Sequence, residues 1–89
     1  MLRFAPTHEF DRDMKRLSRR NLNLDLLDEV IDLLLNQQTL PQLRRDHSLS
    51  SRYQGFRECH IAPDWLLIYR VERDTLIVSR TGTHSDLFG

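Results

Sequence analysis

The chain has 89 residues, of which 39% are hydrophobic and 29% charged, and its 13 basic side chains balance 13 acidic ones. A length of this order supports one small core, and a composition with only 3 Gly and 3 Pro and no low-complexity run excludes a disordered or fibrous chain. Zero net charge speaks against a uniformly basic nucleic-acid binder, and a lone cysteine, Cys59, rules out an internal disulfide and fits a reducing cytoplasm.

Leu2 to Phe4 is expected as a short edge strand stopped by Pro6. After Thr7, a suitable N-cap, Phe10, Met14 and Leu17 recur at helical spacing, and Arg19 and Arg20 suit the negative end of that helix. A second helix is capped by Asn21 or Asn23. Leu26, Leu27, Val30, Ile31, Leu34 and Leu35 form its apolar stripe, with Asp25, Asp28, Glu29 and Asp32 on the solvent side. Periodicity then disappears between Thr39 and Gln54, and an irregular segment of that length in a small domain is often functional. Three strand-like runs follow, Gly55 to Ile61, Trp65 to Glu72 and Thr75 to Thr81, separated by breaks short enough for antiparallel hairpins. The predicted fold class is therefore α+β: a short N-terminal strand and two helices packed on a small, mainly antiparallel sheet, forming one domain over residues 1–89. No run is long or apolar enough for a signal peptide or a membrane span, so neither is expected.

The neutral total hides segregation. Residues 1–21 carry six bases against three acids, residues 22–38 four acids and no base, and residues 39–60 four arginines (Arg44, Arg45, Arg52, Arg57) against Asp46 and Glu58. Such a distribution makes either a basic binding face or simply solvated helix surfaces.

The hairpins predict which side chains meet. If Arg73 and Asp74 form a two-residue turn, Glu72 faces Thr75, Leu67 faces Arg80 and Asp64 lies beside Thr83. If Ala62 and Pro63 form the other, His60 faces Trp65. A one-residue slip would exchange the faces but leave His60, Asp64, Arg80 and His84 at one end of the sheet. With His47 from the irregular segment, these groups suffice for metal-free RNA cleavage. A base takes the ribose 2′-hydroxyl proton, an acid protonates the leaving 5′-oxygen, and an arginine fork stabilises the charge gained by the phosphate. Tyr53, Phe56, Trp65 and Phe88 offer rings on which unpaired bases stack. Each residue also has a plainer role, as strand histidine, turn former, core aromatic or surface ion pair. A zinc site from His47, His60, His84 and Asp64 lacks any paired-ligand spacing. Adjacent Cys59 and His60 would point to opposite faces of a strand, which argues against a cysteine nucleophile.

The segments DHSL at 46–49, GFRECHIAPDWLLIY at 55–69 and RTGTHSDLF at 80–88, in this order and spacing, resemble the YafQ branch of the RelE/ParE superfamily, the toxin halves of bacterial type II toxin–antitoxin pairs. The resemblance implies a RelE-like fold and a ribosome-dependent mRNA endonuclease. It also implies partners: the 70S ribosome A site and mRNA, a cognate antitoxin that holds the toxin inactive, and operator DNA only through that antitoxin. No cofactor or metal and no membrane contact is implied, and the location is cytoplasmic. Matching the motifs residue by residue places His47, His60, Asp64, Arg80 and His84 in catalysis, with Trp65 and Phe88 holding substrate, while the charge segregation offers Arg44, Arg45 and Arg57, with Arg52 and the Lys15 to Arg20 cluster, as a basic stripe that contacts RNA. His84 is expected as the general acid, Asp64 with His60 or His47 as base and positioning groups, and Arg80 as the phosphate stabiliser. The chain is neutral where toxins of this kind are basic, so weaker and more salt-sensitive ribosome binding is expected. Two other readings share the scaffold: a gyrase inhibitor of the ParE type, which needs no His–Asp–Arg set, and a non-catalytic RNA-binding module.

Overall fold

Two side-chain caps set the helical part of the fold. The Thr7 hydroxyl accepts the Phe10 amide hydrogen at 3.1 Å and opens α1 (His8–Leu17), and Asn23 accepts the Asp25 amide at 3.1 Å and opens α2 (Leu24–Leu35). The computed structural model describes residues 1–89. Arg19 and Arg20 lie just past α1 in a 3-10 turn (Ser18–Arg20), which ends at Asn21 in a left-handed conformation.

The sheet has five strands: β1 (Arg3–Pro6), β2 (His47–Ser48), β3 (Arg57–Ala62), β4 (Trp65–Glu72) and β5 (Thr75–Gly82). Their spatial order is β1-β5-β4-β3-β2, with β1 parallel to β5 and every other pairing antiparallel. The irregular segment is thus more ordered than its sequence suggests. Two 3-10 turns, Gln42–Arg44 and Ser51–Tyr53, flank β2, which closes the outer edge of β3. The RTGTHSDLF segment also exceeds expectation, because after β5 it forms a five-residue helix, α3 (His84–Phe88).

Strand alternation gives the sheet two unlike faces. One carries Cys59, Ile61, Leu67, Tyr69, Leu76 and Val78 and is covered by Phe10 and Leu17 of α1 and Leu27, Val30, Ile31 and Leu34 of α2. The other carries Leu66 and Ile68, covered by Leu87 of α3 with Leu49, Tyr53 and Phe56 around them. Burying Leu87 against this patch contributes roughly 1.5–3 kcal/mol, which helps hold a helix far too short to persist alone.

The predicted register is right at one turn and shifted beyond it. Glu72 does face Thr75, but a bulge at Ser79 pairs Ile68 with Arg80 and leaves Leu67 opposite Thr81. A second bulge at Ile61 pairs His60 with Leu66 rather than Trp65, and the turn falls at Pro63 and Asp64. Each bulge adds one residue to one strand, which alternation of residue types cannot reveal.

Candidate active site

The bulge at Ser79 puts Arg80 on the second face of the sheet. The paired residues His47, Glu58, Ile68 and Arg80 form one row across four strands, and His60, Leu66 and Gly82 form the next row. With strands about 4.8 Å apart, His60 lies about 10 Å from Gly82 across β4. Leu87 anchors α3 on Leu66 and Ile68, over β4 and between the histidine side and the arginine side. Four of the five expected catalytic side chains therefore belong to this face or to the helix on it, and Asp64 sits at the adjoining turn.

Arg80 is held from α1. Asp13 is nearly fully buried, and its carboxylate accepts from Arg80 Nε at 2.7 Å and Nη2 at 3.1 Å, from the Thr81 amide at 3.0 Å and from Arg16 at 2.9 Å. The Thr81 amide is free for this because β1 pairs with β5 only as far as Val78. Hydrogen bonding to Asp13 holds the Arg80 guanidinium above its ordinary pKa, so its charge is fixed at any working pH. Helical spacing from Phe10 to Leu17 places Asp13 beside the buried stripe, but only the tertiary structure reveals its partner.

His47 stands between two acceptors. Its Nδ1 is 2.7 Å from the Arg45 carbonyl, and its Nε2 is 3.2 Å from the Glu58 carboxylate. Each ring nitrogen thus faces a protein acceptor, and the two contacts fix the orientation of the ring. Glu58 is the functional candidate that the sequence did not single out. Its side chain is only 7% exposed, and one of its oxygens has no hydrogen-bond partner. A buried carboxylate left half-satisfied costs stability, and such groups cluster at working sites. His60, half-buried, lines a cavity of about 250 Å³ with Leu43, Arg44, Arg45, Ala62 and Pro63.

At α3, Asp64 accepts the His84 backbone amide at 3.2 Å, which ties the Pro63–Asp64 turn to the start of the helix. Thr83 and Asp86 close a capping box: the Thr83 hydroxyl accepts the Asp86 amide at 3.1 Å and Asp86 accepts the Thr83 amide at 2.9 Å. Arg20 donates to both Asp86 oxygens, at 2.6 and 3.1 Å, and holds this carboxyl far below its ordinary range. Gly82 is required here by space, since a Cβ would sit 2.9 Å from the Asp86 carboxylate. The His84 and Phe88 rings lie 4.9 Å apart, and Phe88 meets Tyr53 edge-on at 5.9 Å. Phe88 stays 40% exposed and, with Leu49 and Tyr53, borders an open hollow of about 420 Å³.

Three of the expected substrate contacts have structural employment instead. Trp65 is buried in the main core at 3% exposure, and its indole N–H is donated to Thr81 at 2.9 Å, so no base can stack on it. Arg57 alternates onto the opposite face from Glu58, where it pairs with Asp46 at 3.2 Å. Asp46 also accepts the Tyr69 hydroxyl at 2.6 Å. Arg44 donates to the Ile61 carbonyl and reaches Glu29 at 3.5 Å, which leaves only part of it facing the His60 cavity. Arg45 is exposed at the cavity rim, and Arg52 lies over the Tyr53 ring at 5.2 Å. Cys59 is fully buried on the core side, and burial pushes its thiol up to about 12. No three His, Cys, Asp or Glu side chains come together as a metal site.

The chain matches, over residues 2–89, the family described as the bacterial toxin of type II toxin–antitoxin system, YafQ. It is 39% identical over 82 residues to the mRNA interferase toxin YafQ of Escherichia coli strain B / BL21-DE3, an alignment covering 91% of this chain and 89% of that protein. Its fold superposes on the crystal structure of YafQ from E. coli BL21(DE3) with a TM-score of 0.93 at 34% identity and full coverage of both chains. A TM-score of 0.91 at 36% identity, again with full coverage, relates it to the crystal structure of the E. coli DinJ–YafQ complex. The family match over residues 2–89, together with a superposition that covers both chains in full, makes this chain a member of the YafQ toxin family.

Proposed function

We propose that this protein is an mRNA interferase: a single toxin domain that cleaves messenger RNA in the ribosomal A site, in the cytoplasm, by metal-free acid–base chemistry. The observation that carries the reading is the shared sheet face, where His47, Glu58, His60 and Arg80 lie in neighbouring rows and onto which Leu87 anchors α3, the helix that begins with His84. The relatives named mRNA interferase toxin support the substrate class.

In this mechanism the RNA backbone crosses the second face with its scissile phosphate beside Arg80. The guanidinium, oriented by Asp13, receives the charge that accumulates on the phosphate oxygens. A base on the His60 and Asp64 side takes the 2′-hydroxyl proton, the oxygen attacks phosphorus, and the P–O5′ bond breaks as His84 protonates the leaving oxygen. The products are a 2′,3′-cyclic phosphate and a free 5′-hydroxyl, and every proton is accounted for. His47, its ring oriented by Arg45 and Glu58, takes the phosphate by exchanging its Glu58 contact for it, and Phe88 with Tyr53 stacks a neighbouring base. The exposed cations Arg45 and Arg52 grip flanking phosphates.

Regulation follows the same family logic. A cognate antitoxin binds the toxin and keeps it inactive, as the DinJ–YafQ assembly supports, and it alone provides any contact with operator DNA. No helix here is long and apolar enough to cross a membrane.

The test is message cleavage on purified translating ribosomes with chelator present, comparing the wild type with His84→Ala and Asp64→Ala. Cleavage within codons that requires ribosomes, tolerates chelator and falls by about 10²-fold or more in the variants supports the mechanism. Near-normal rates in both variants would overturn it.

A further inference from the structure

Five residues cannot hold a helix in one orientation without outside restraint, and His84 needs one orientation to deliver a proton. Beside the burial of Leu87 and the bond from the His84 amide to Asp64, two restraints on α3 meet at Asp86. This carboxylate accepts the Thr83 amide at 2.9 Å, inside the capping box, and takes the two-pronged Arg20 guanidinium at 2.6 and 3.1 Å. Arg20 in turn sits on the 3-10 turn that continues α1, the helix whose Asp13 holds Arg80. The same helical unit is thus tied to the phosphate-binding side through Asp13 and to the acid side through Arg20.

We propose that Arg20 and Asp86 form a positioning clamp that fixes His84 relative to Arg80. The clamp rests on the reading of His84 as general acid given above. Neither residue touches the reacting atoms. Arg20 acts by preventing α3 from pivoting about Leu87, and Asp86 by transmitting that restraint to Thr83 and the first turn, which carries His84. Gly82 keeps this position of Asp86 open, since a Cβ there would sit 2.9 Å from the carboxylate.

Single-turnover cleavage on programmed ribosomes, over a range of toxin concentrations, tests the clamp with Arg20→Ala, Asp86→Asn, His84→Ala and the Arg20→Ala/His84→Ala pair. Arg20 is exposed enough for its loss to leave the fold intact, which a thermal melt verifies. The saturating rate of Arg20→Ala is expected to fall on the order of 10- to 100-fold at an unchanged half-saturating concentration. Hydrogen exchange at the Leu87 and Gly89 amides, which close α3 onto Thr83 and Ser85, should quicken. In the His84→Ala background Arg20→Ala should change the rate no further. A raised half-saturating concentration with an intact saturating rate would instead make Arg20 an RNA contact. That result, multiplicative losses in the double variant, or unchanged exchange would each overturn the clamp. Full activity in His84→Ala overturns the reading of His84 itself, whereas an inactive His84→Ala beside a fully active Arg20→Ala overturns the clamp alone.

Discussion

Asp13 on α1 and Arg80 on β5, 67 residues apart in the chain, meet through two hydrogen bonds of 2.7 and 3.1 Å. The carboxylate is buried, and it also satisfies the Thr81 amide and Arg16. One side chain therefore joins the helical layer to the sheet, terminates the edge of β5 and orients a cation on the face proposed for chemistry. Asp13→Ala would leave the Thr81 amide buried without an acceptor and Arg80 without its counter-charge. We expect a stability loss of about 2–4 kcal/mol, below the cost for a fully buried pair because Arg80 is partly exposed. Urea unfolding measures this. Cleavage should fall further than the change in folded fraction explains.

Glu58 yields the opposite balance between stability and activity. Its buried carboxylate has one oxygen on His47 and one without a partner. Glu58→Gln removes the charge and retains the shape, so the melting temperature should hold or rise while cleavage drops because His47 faces a neutral amide in place of a carboxylate. Parallel falls in both quantities would reduce Glu58 to a structural residue.

The contrast between Glu58 and Trp65 shows what the sequence reveals and what it conceals. Helix caps, the apolar stripes and the Arg73–Asp74 hairpin follow from local chemistry, and Thr7, Asn23 and the Glu72–Thr75 pairing stand where that chemistry puts them. The clustering of His60, Asp64, Arg80 and His84 at one sheet end also follows, because it depends on strand lengths rather than on faces. The bulges at Ile61 and Ser79 decide the faces, and a bulge has no signature in residue type. Trp65 reads equally well as a stacking platform or as core until burial is known. Asp13 and Asp86 look like ordinary solvated helix acids, since their partners, Arg80 and Arg20, lie more than sixty residues away.

Cys59 offers a test of core integrity independent of activity. Burial first, with smaller help from Asp46, raises its thiol to about 12, so almost no thiolate exists at neutral pH. A thiol reagent at about pH 8 should leave the native protein unmodified and label it in proportion to unfolding as urea is added. Rapid labelling without denaturant would mean that the layer between the sheet and α2 opens readily.

The Asp86 carboxyl makes α3 acid-sensitive in a defined direction. Arg20 hydrogen bonding holds it charged in the folded protein to a lower pH than in the unfolded chain, where it titrates near 4. Its stabilisation is therefore complete above about pH 4, weakens as pH falls below that, and disappears once pH has passed through the folded-state value. Asp86→Asn retains the capping geometry but lacks the titrating charge. Thermal melts of the two proteins from about pH 2 to pH 7 should show the wild type more stable at neutral pH and the difference closing in acid. Arg20→Ala should narrow the difference at neutral pH, because the guanidinium is the main source of the shift. A wild-type advantage that stayed constant across the whole range would assign it to the shape of the cap rather than to the Arg20–Asp86 charge pair.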